Sequence, residues 1–388
     1  MTLHARSELL AAPRKKLLYR FLAASVRHAT PASLFLYAAA VLGLLALPLV
    51  VKDNYLDENA LLAGSAVPRI RNSGALQSAA DVQQRLKHAG NSANSGALQG
   101  TANDTSTTLL LELNGALEAA GFDQAQAGQL FGAAAAHAVM QYLASVPWLA
   151  KDVVWVLPDA GCGQMHSLQV WLEEAANGKW QRHASPFGRA GLMQQALVLD
   201  VASPSFNALE VHTIGFSGQL PMLDLYYLVA FLAEEHVGLP PAMKDLFGRP
   251  LAGRQTGYAT KLGTMLRFVA QQALTRPSGV HAAFKEYGVD AVTLRTVLLP
   301  EKEALPAAEG LARLATLLEL ALRSCNNLLE RLHHSVLLYL QVSPHAFVSV
   351  QAYIGPLVAL LLILPLQAAA SKRRAEGLLS AHALTGHS

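Results

Sequence analysis

The sequence GVHAAFKEYGVDAVTLR, residues 279–295, places a glycine-bearing turn directly before a run that is typical of a β-strand. This run extends over 290–299, and further strand-like runs occur at 152–158, 196–203 and 208–216. Segments with helical spacing separate them, at 123–146, 163–178, 222–236 and 257–274. This alternation predicts an α/β domain over residues 108–300, with a mixed or parallel sheet and flanking helices.

The chain has 388 residues, of which 52% are hydrophobic and only 15% are charged. Two uncharged runs, 29–51 and 346–371, are each long enough to cross a hydrocarbon layer of about 30 Å as a helix. A cleaved signal peptide is the alternative for the first run. A retained anchor is favoured because the run is longer than a typical signal core and no small-residue cleavage site closes it.

Basic residues flank both apolar runs on their outer sides. Residues 1–28 contain Lys and Arg at six positions against the single acid Glu8, and Lys372, Arg373 and Arg374 follow the second run. Because Lys and Arg are enriched on the cytosolic side of membrane spans, the tail 372–388 and the N-terminus are both predicted to be cytosolic. The α/β domain between the spans is then luminal. The net charge of +3 is explained by these flanks, so nucleic-acid binding is not indicated.

The first luminal stretch, residues 52–107, is rich in Ala, Gly, Ser and Asn, and we predict a flexible, low-complexity segment. Asn103 begins the glycosylation sequon NDT, which fits a luminal position. The chain has two cysteines, Cys162 and Cys325. The sequence leaves open whether they form a disulfide or remain two buried thiols.

Residues 308–341 carry apolar side chains at steps of three and four, which predicts one long amphipathic helix. Glu309 with Arg313, and Glu319 with Arg323, have the favourable order for i,i+4 ion pairs. We expect the apolar stripe to face the α/β domain, and a partner subunit is the alternative.

A zinc site of the aminopeptidase kind is the sharpest enzyme hypothesis. Asp159 and Asp200 follow or end strand-like runs, where open α/β folds place ligands, and His212 is the third candidate ligand. His166 and His183 lie nearby in the sequence. The pairs H-x-x-x-H and H-x-D do not occur, so the absence of a catalytic metal is the preferred prediction.

A thiol enzyme would use Cys162, with His166 as a base four residues later. The stretch is broken by glycine and no third group accompanies the pair, so ordinary loop residues are the alternative interpretation. The patterns G-x-S-x-G, G-x-x-x-x-G-K-[ST] and G-x-G-x-x-G do not occur. The sequence therefore does not indicate a serine hydrolase elbow, a P-loop or a dinucleotide site.

Four blocks occur in order between the two apolar runs. They are AKDVVWVLPD (150–159), GFSGQLPMLDLYYL (215–228), RPSGVHAAFKEYGVDAVTLR (276–295) and NNLLERLHHSVLLYL (326–340). Together they resemble the GPI-anchor attachment protein family, the Gaa subunit of the glycosylphosphatidylinositol (GPI) transamidase complex. The resemblance covers about residues 140–365.

The resemblance implies a multi-pass membrane protein of the endoplasmic reticulum, with a luminal domain similar in fold to zinc aminopeptidases but without their activity or cofactor. It implies a complex in which a caspase-like protease subunit cleaves the C-terminal signal of a proprotein and passes the acyl group to a GPI lipid. This chain is then expected to be non-catalytic and to help present the GPI lipid or the proprotein. A membrane-anchored luminal zinc aminopeptidase is the alternative function.

The residues expected to contact a partner or substrate are Gly218, Gln219, Leu220, Pro221, Asp224 and Arg295. The alternative for the first five is a turn followed by a helix N-terminus. For the arginine, the alternative is an ion pair within the sheet. The family also has further membrane spans, whereas this sequence ends at Ser388. A truncated gene model, a divergent form and a nonfunctional product are left open.

Overall fold

The structure is a computed structural model, and it describes residues 29–77, 124–158, 163–177, 192–254, 257–333 and 335–385. The chain divides into two compact units, one formed by Met1–Val51 with Val348–Ser388 and the other by Lys52–Phe347. The predicted cytosolic N-terminus and the sequon at Asn103 lie outside the described residues.

The helices are α1 (Ala29–Ala46), α2 (Gln124–Ala144), α3 (Gln164–Asn177), α4 (Leu223–Phe231), α5 (Tyr258–Ala273), α6 (Ala282–Lys285), α7 (Ala307–Asn326) and α8 (Val350–Thr385). The strands are β1 (Lys52–Asp53), β2 (Gln195–Asp200), β3 (Ala208–His212), β4 (Pro241–Lys244), β5 (Pro250–Ala252), β6 (Asp290–Val297), β7 (Tyr339–Ser343) and β8 (Ala346–Ser349). The helices predicted at 123–146, 163–178, 222–236 and 257–274 and the strands predicted at 196–203, 208–216 and 290–299 are therefore confirmed.

The main sheet is mixed, as predicted. Its strands lie in the order β2-β6-β3-β4-β5. The pairs β2–β6 and β3–β4 are parallel, whereas β3–β6 and β4–β5 are antiparallel. The mixed α/β class is thus confirmed, and the likeness to zinc aminopeptidases stays a prediction.

The largest apolar core lies where one face of this sheet meets α2, α4 and α7. Leu209 and Val292 on the sheet are fully buried with Phe131 of α2, Leu228 of α4 and Leu317 of α7. Each such side chain stabilises the fold by about 1.5–3 kcal/mol relative to an exposed position.

The apolar stripe of α7 faces this core, as expected. Leu314 is fully buried within the core cluster. Both predicted i,i+4 pairs form at 2.8 Å between nitrogen and oxygen, Glu309 with Arg313 and Glu319 with Arg323.

The predicted helix over 308–341 is too long, because α7 ends at Asn326. The Asn326 side chain accepts a hydrogen bond from the backbone N–H of Ala150 at 2.9 Å and donates one to the Trp148 carbonyl at 3.3 Å. These contacts hold the helix end against another segment. The chain then leaves helical geometry and reaches β7. Beyond Asn326 the apolar spacing does not mark one buried face, because Leu332 is buried but Leu329 is 94% exposed.

The run 152–158 is also not a strand in the structure. Val153 and Val156 still pack against apolar clusters, whereas Val154 is exposed. Strand formation additionally needs a neighbouring ladder of backbone groups, and the described residues provide none for this run.

The prediction of a flexible segment at 52–107 is wrong for its described part, 52–77. Leu61 and Ile70 are fully buried in the main core. The carboxylate of Glu319, itself fully buried, accepts hydrogen bonds from the backbone N–H groups of Arg69 and Ile70 at 2.9–3.0 Å. This stretch is therefore tied to α7 despite its small and polar residues.

The other unit contains α1 and α8, which are both long and apolar enough to cross a membrane, over Thr30–Leu49 and Val350–Glu376. They pack antiparallel. A Cβ added to Gly43 would come within 2.8 Å of the Pro356 ring, and Arg374 donates to the Thr30 hydroxyl at 3.2 Å. Small residues allow this kind of close approach between membrane helices.

The predicted second span, 346–371, begins later than expected, because β8 occupies its first four residues and the helix starts at Val350. β8 pairs antiparallel with β1, matching Lys52 with Phe347 and Asp53 with Ala346. Apolar composition alone does not separate a buried strand from the start of a membrane helix.

Candidate functional site

A cleft lined by both polar and apolar side chains lies at the carboxyl ends of the parallel strands β3 and β4. It encloses about 140 Å³, and His212 and Lys244, the last residues of the two strands, line it. Helix α5 and strand β7 contribute Arg267, Phe268 and Gln341, and further, partly apolar side chains complete the lining. We call this site the β3–β4 cleft. Open α/β sheets commonly bind ligands outside the carboxyl ends of their strands.

Glu210 is the central charge of the β3–β4 cleft. Its side chain is only 4% exposed, and its Oε2 lies 3.0 Å from His212 Nε2 and 3.5 Å from Lys244 Nζ. Residues two apart on a strand point to the same face, which places Glu210 and His212 side by side. Lys244 reaches the same carboxylate from the neighbouring strand β4.

The charge state of Glu210 follows from two opposing effects. Burial by itself would raise the pKa of the Glu210 carboxyl, because a charge is costly in a low-dielectric environment. The hydrogen bond from His212 and the positive charge of Lys244 outweigh burial and hold this pKa below its ordinary value. Glu210 is therefore ionised at neutral pH.

Several polar atoms of the cleft lack a partner within the described residues. They are Glu210 Oε1, Arg267 Nε and Gln341 Oε1, and each is shielded from solvent. The other amide atom of Gln341 donates to the Ser343 carbonyl at 2.9 Å, so this side chain is held in place. A buried polar group without a hydrogen bond costs about 1–3 kcal/mol, and three residues that line this cleft each carry one such atom.

Two of the predicted site residues pair with each other outside this cleft. Arg295 Nε lies 3.7 Å from Asp200 Oδ2, and both side chains are nearly half exposed. They face each other across the parallel strands β2 and β6. Arg295 therefore forms an ion pair within the sheet, which was its alternative interpretation.

Among the described residues, no group of three or more His, Cys, Asp and Glu side chains is arranged to hold a metal ion. Asp200 is engaged by Arg295, and His212 by Glu210. The third candidate ligand, Asp159, lies outside the described residues. Asp200 and His212 therefore each pair with another side chain in the described part of the chain, and the zinc hypothesis stays a prediction.

The block GFSGQLP forms a tight turn stacked on the end of α5. Gly218 has φ +71°, and a Cβ there would lie 2.9 Å from the Gln272 carbonyl oxygen. The Gln272 side chain in turn donates to the Gly218 carbonyl at 3.1 Å. Both observations require glycine at this position. Gln219 is exposed, and its role as a contact residue stays a prediction.

The rest of the block turns inward. Leu220, Pro221 and Asp224 are buried, so the structure does not place them on the predicted contact surface. Asp224 is 1% exposed, and its two carboxylate oxygens accept the backbone N–H groups of Asp57 and Glu58 at 3.0 and 2.8 Å. Burial is the main effect, and it raises the pKa of Asp224 against the lowering effect of these hydrogen bonds.

A family model described as "Gaa1-like, GPI transamidase component" matches residues 116–377, which is more than half of the chain. The chain belongs to this Gaa1-like family. It is 26% identical over 232 residues to the GPI transamidase component gaa1 of Schizosaccharomyces pombe, and 27% identical over 232 residues to GAA1 of Saccharomyces cerevisiae. Each match covers 59% of this chain but only 38% and 35% of the two relatives.

The Gaa1-like match contains every residue named above for the β3–β4 cleft, from Glu210 to Gln341. It also includes α8 almost to its end. The family assignment therefore applies to the part of the chain in which the candidate site lies.

Several sequence predictions for this Gaa1-like chain concern residues outside the described ranges. They include Asp159, Cys162 and His183. His166 is exposed on α3. Burial raises the pKa of the Cys325 thiol to about 12, so it stays protonated at neutral pH. Cys325 is a free thiol, and the thiol-enzyme hypothesis, which depends on Cys162, remains a prediction.

The β3–β4 cleft was not predicted from the sequence, although one local signal points to it. Glu210 is a charged residue in the middle of the otherwise apolar strand ALEVH, and His212 follows at strand spacing. This pattern predicts a buried, partnered carboxylate. Lys244, Arg267 and Gln341 come from distant elements, and no local pattern links them to β3.

Proposed function

We propose that this chain is a non-catalytic subunit of GPI transamidase, which attaches GPI anchors to protein C-termini in the endoplasmic reticulum. The observation that carries the proposal is the Gaa1-like match over residues 116–377. The chain spans less than two fifths of the curated relatives it matches, so their whole activity is proposed for it and not transferred as a fact.

In this proposal, the unit Lys52–Phe347 is luminal and both chain ends are cytosolic. The antiparallel packing of α1 and α8 supports the arrangement, since Thr30 near the start of α1 contacts Arg374 near the end of α8. Two antiparallel spans put the segments outside them on one side of the membrane. The basic flanks at both ends favour the cytosolic side.

The proposed role is to present the GPI lipid or the proprotein signal to a caspase-like protease subunit that holds the catalytic cysteine. The engagement of Asp200 by Arg295 and of His212 by Glu210 supports a non-catalytic role for these residues. The exposed turn residue Gln219 and the neighbouring Gly218 are the proposed contact points with partner or substrate.

The decisive test is complementation in cells depleted of their own Gaa1 protein. The tagged chain is expressed, GPI-anchored surface proteins are measured by flow cytometry, and the chain is purified with its neighbours. We expect restored surface signal and co-purification of the protease-like subunit. Asp200→Asn, which alters only an exposed pair, should restore the signal as well as the unaltered chain does.

Failure of both readouts by a chain that is expressed and reaches the endoplasmic reticulum would overturn the proposal. Topology is tested separately, by protease digestion of sealed microsomes. The unit Lys52–Phe347 should be protected while epitope tags at both ends are removed. Digestion of the middle with protected ends would refute the luminal assignment.

A further inference from the structure

The β3–β4 cleft carries an inference that does not depend on the transamidase role. A helix packed on a sheet normally buries apolar side chains between them. Here Glu210, Lys244 and Arg267 line that space beside the apolar side chain of Phe268. Burying such charges is costly unless a partner compensates for them.

The unpartnered atoms of the cleft define what a ligand must offer. Glu210 Oε1 and Gln341 Oε1 are acceptors that need donors, and Arg267 Nε is a donor that needs an acceptor. A hydroxyl group both donates and accepts, so a pair of neighbouring hydroxyls can satisfy the two acceptors. The ring of Phe268 lines the same cleft and offers an apolar surface to the carbon atoms between hydroxyls.

The charges of the cleft also favour a ligand that carries an anionic group. Lys244 is one-third exposed and Arg267 lies between buried and exposed, so both cations are reachable from solvent. Glu210, by contrast, is 4% exposed and lies deeper. Glu210 supplies one negative charge against the two positive charges of Lys244 and Arg267, so these three side chains carry one net positive charge. An anionic group that contacts both cations would also provide an acceptor for Arg267 Nε.

We propose that the β3–β4 cleft binds a phosphorylated polyol, with the phosphate at Lys244 and Arg267 and hydroxyl groups at Glu210 and Gln341. The cleft volume of about 140 Å³ suits a small headgroup and excludes a long glycan chain. The same chemistry occurs in free polyol phosphates and in the headgroups of hydroxylated phospholipids.

Isothermal titration calorimetry on the full chain in detergent tests this with sn-glycerol 3-phosphate. Inorganic phosphate and glycerol are the matched partial ligands. We expect glycerol 3-phosphate to bind about tenfold or more tightly than inorganic phosphate, because only it also fills the hydroxyl positions, and glycerol alone to give no heat of binding. Equal affinity for the two phosphates, or no binding by either, overturns the proposal and leaves water as the occupant.

A second arm separates the two sources of this chemistry. Dihexanoyl phosphatidylglycerol carries the same glycerol and phosphate groups on a short, water-soluble lipid. Tighter binding of this lipid than of glycerol 3-phosphate assigns a lipid headgroup, and the reverse order assigns a free polyol phosphate. Both orders agree with the proposed ligand class.

Variants locate the binding site. Arg267→Gln and Gln341→Leu should each weaken glycerol 3-phosphate binding about tenfold or more. Arg254→Gln is the matched control, because this exposed arginine lies outside the cleft and contacts Asp53 at 3.9 Å. Circular dichroism checks that each variant folds. If Gln341→Leu does not fold, the site is tested by Arg267→Gln and by ³¹P line broadening of the ligand on the unaltered chain. Unchanged binding by a folded Arg267→Gln refutes the site.

Discussion

Glu319 on α7 and Glu210 on β3 are both buried carboxylates, but their surroundings differ. Glu319 accepts two backbone N–H groups and lies 2.8 Å from Arg323. Glu210 contacts only side chains that are themselves partly exposed, and one of its oxygens has no partner within the described residues. The first arrangement holds two segments together, whereas the second leaves bonding capacity for a ligand. The role of a buried carboxylate therefore follows from which groups its two oxygens contact, and not from its burial alone.

The largest effect should come from Glu319→Gln. The amide would place a donor against the backbone N–H groups of Arg69 and Ile70 and leave Arg323 without its charge partner. We expect a loss of about 3–5 kcal/mol in the free energy of unfolding, measured by chemical denaturation. Glu309→Gln is the control, because this glutamate is more than one-third exposed and its loss should cost about 0.5 kcal/mol. Equal effects of the two changes would show that segment 52–77 is not anchored in this way.

Asp224→Asn should rank second, at about 1–3 kcal/mol, because the new amide cannot accept from both Asp57 and Glu58. The pH dependence gives a separate readout. The folded state raises the pKa of Asp224, so it binds this proton more tightly than the unfolded chain does.

Lowering the pH through this raised pKa towards the ordinary aspartate value therefore stabilises the unaltered chain relative to Asp224→Asn. Denaturation midpoints over this range measure the difference, with Asp152→Asn, the change of an exposed aspartate, as control. A constant gap between Asp224→Asn and the unaltered chain over the whole range would contradict the assignment.

Glu210→Gln should cost less at neutral pH, about 1 kcal/mol, since Lys244 and His212 can be hydrated when the charge is removed. Here the pH effect has the opposite sign. The folded state lowers the pKa of Glu210, so its contribution is present above the ordinary glutamate pKa and is lost as the pH falls through the lowered value.

The stability of Glu210→Gln and of the unaltered chain should therefore converge in acid. Thermal melts of both proteins at a series of pH values provide the measurement. A gap that widens as the pH falls would show that the carboxylate is not stabilised by His212 and Lys244.

Asp200→Asn should have the smallest effect, within about 0.5 kcal/mol, because the Asp200–Arg295 pair is nearly half exposed on both sides. The effect should shrink further in high salt, which screens exposed charges. A loss above about 1.5 kcal/mol would indicate that this pair has a structural role like that of Glu319.

Some helices and strands of the fold were predicted from the sequence and others were not, for physical reasons. Helices α2, α3 and α5 were predicted because their apolar spacing is local. The strands β4 and β5 were missed, since the hairpin that they form, PAMKDLFGRPLA, lacks the alternation of a half-buried strand. Its turn depends on Asp245, which accepts the backbone N–H groups of Phe247 and Arg249.

The candidate site was predicted least well, because its parts are far apart in the chain. Asp200 and His212 were correctly identified as polar residues at strand ends, but their partners Arg295 and Glu210 lie on the neighbouring strand or two residues before. Which pair forms depends on the register of the sheet. A single sequence without known strand order cannot provide that register.

The pairing of β1 with β8 gives the unit Lys52–Phe347 a property of inserted modules. Its first and last strands lie side by side, so its two ends leave from one corner. Domains with adjacent termini tolerate excision and transplantation well. We therefore expect that this segment can be expressed alone, with its two ends held together by the β1–β8 pair, for binding studies without detergent.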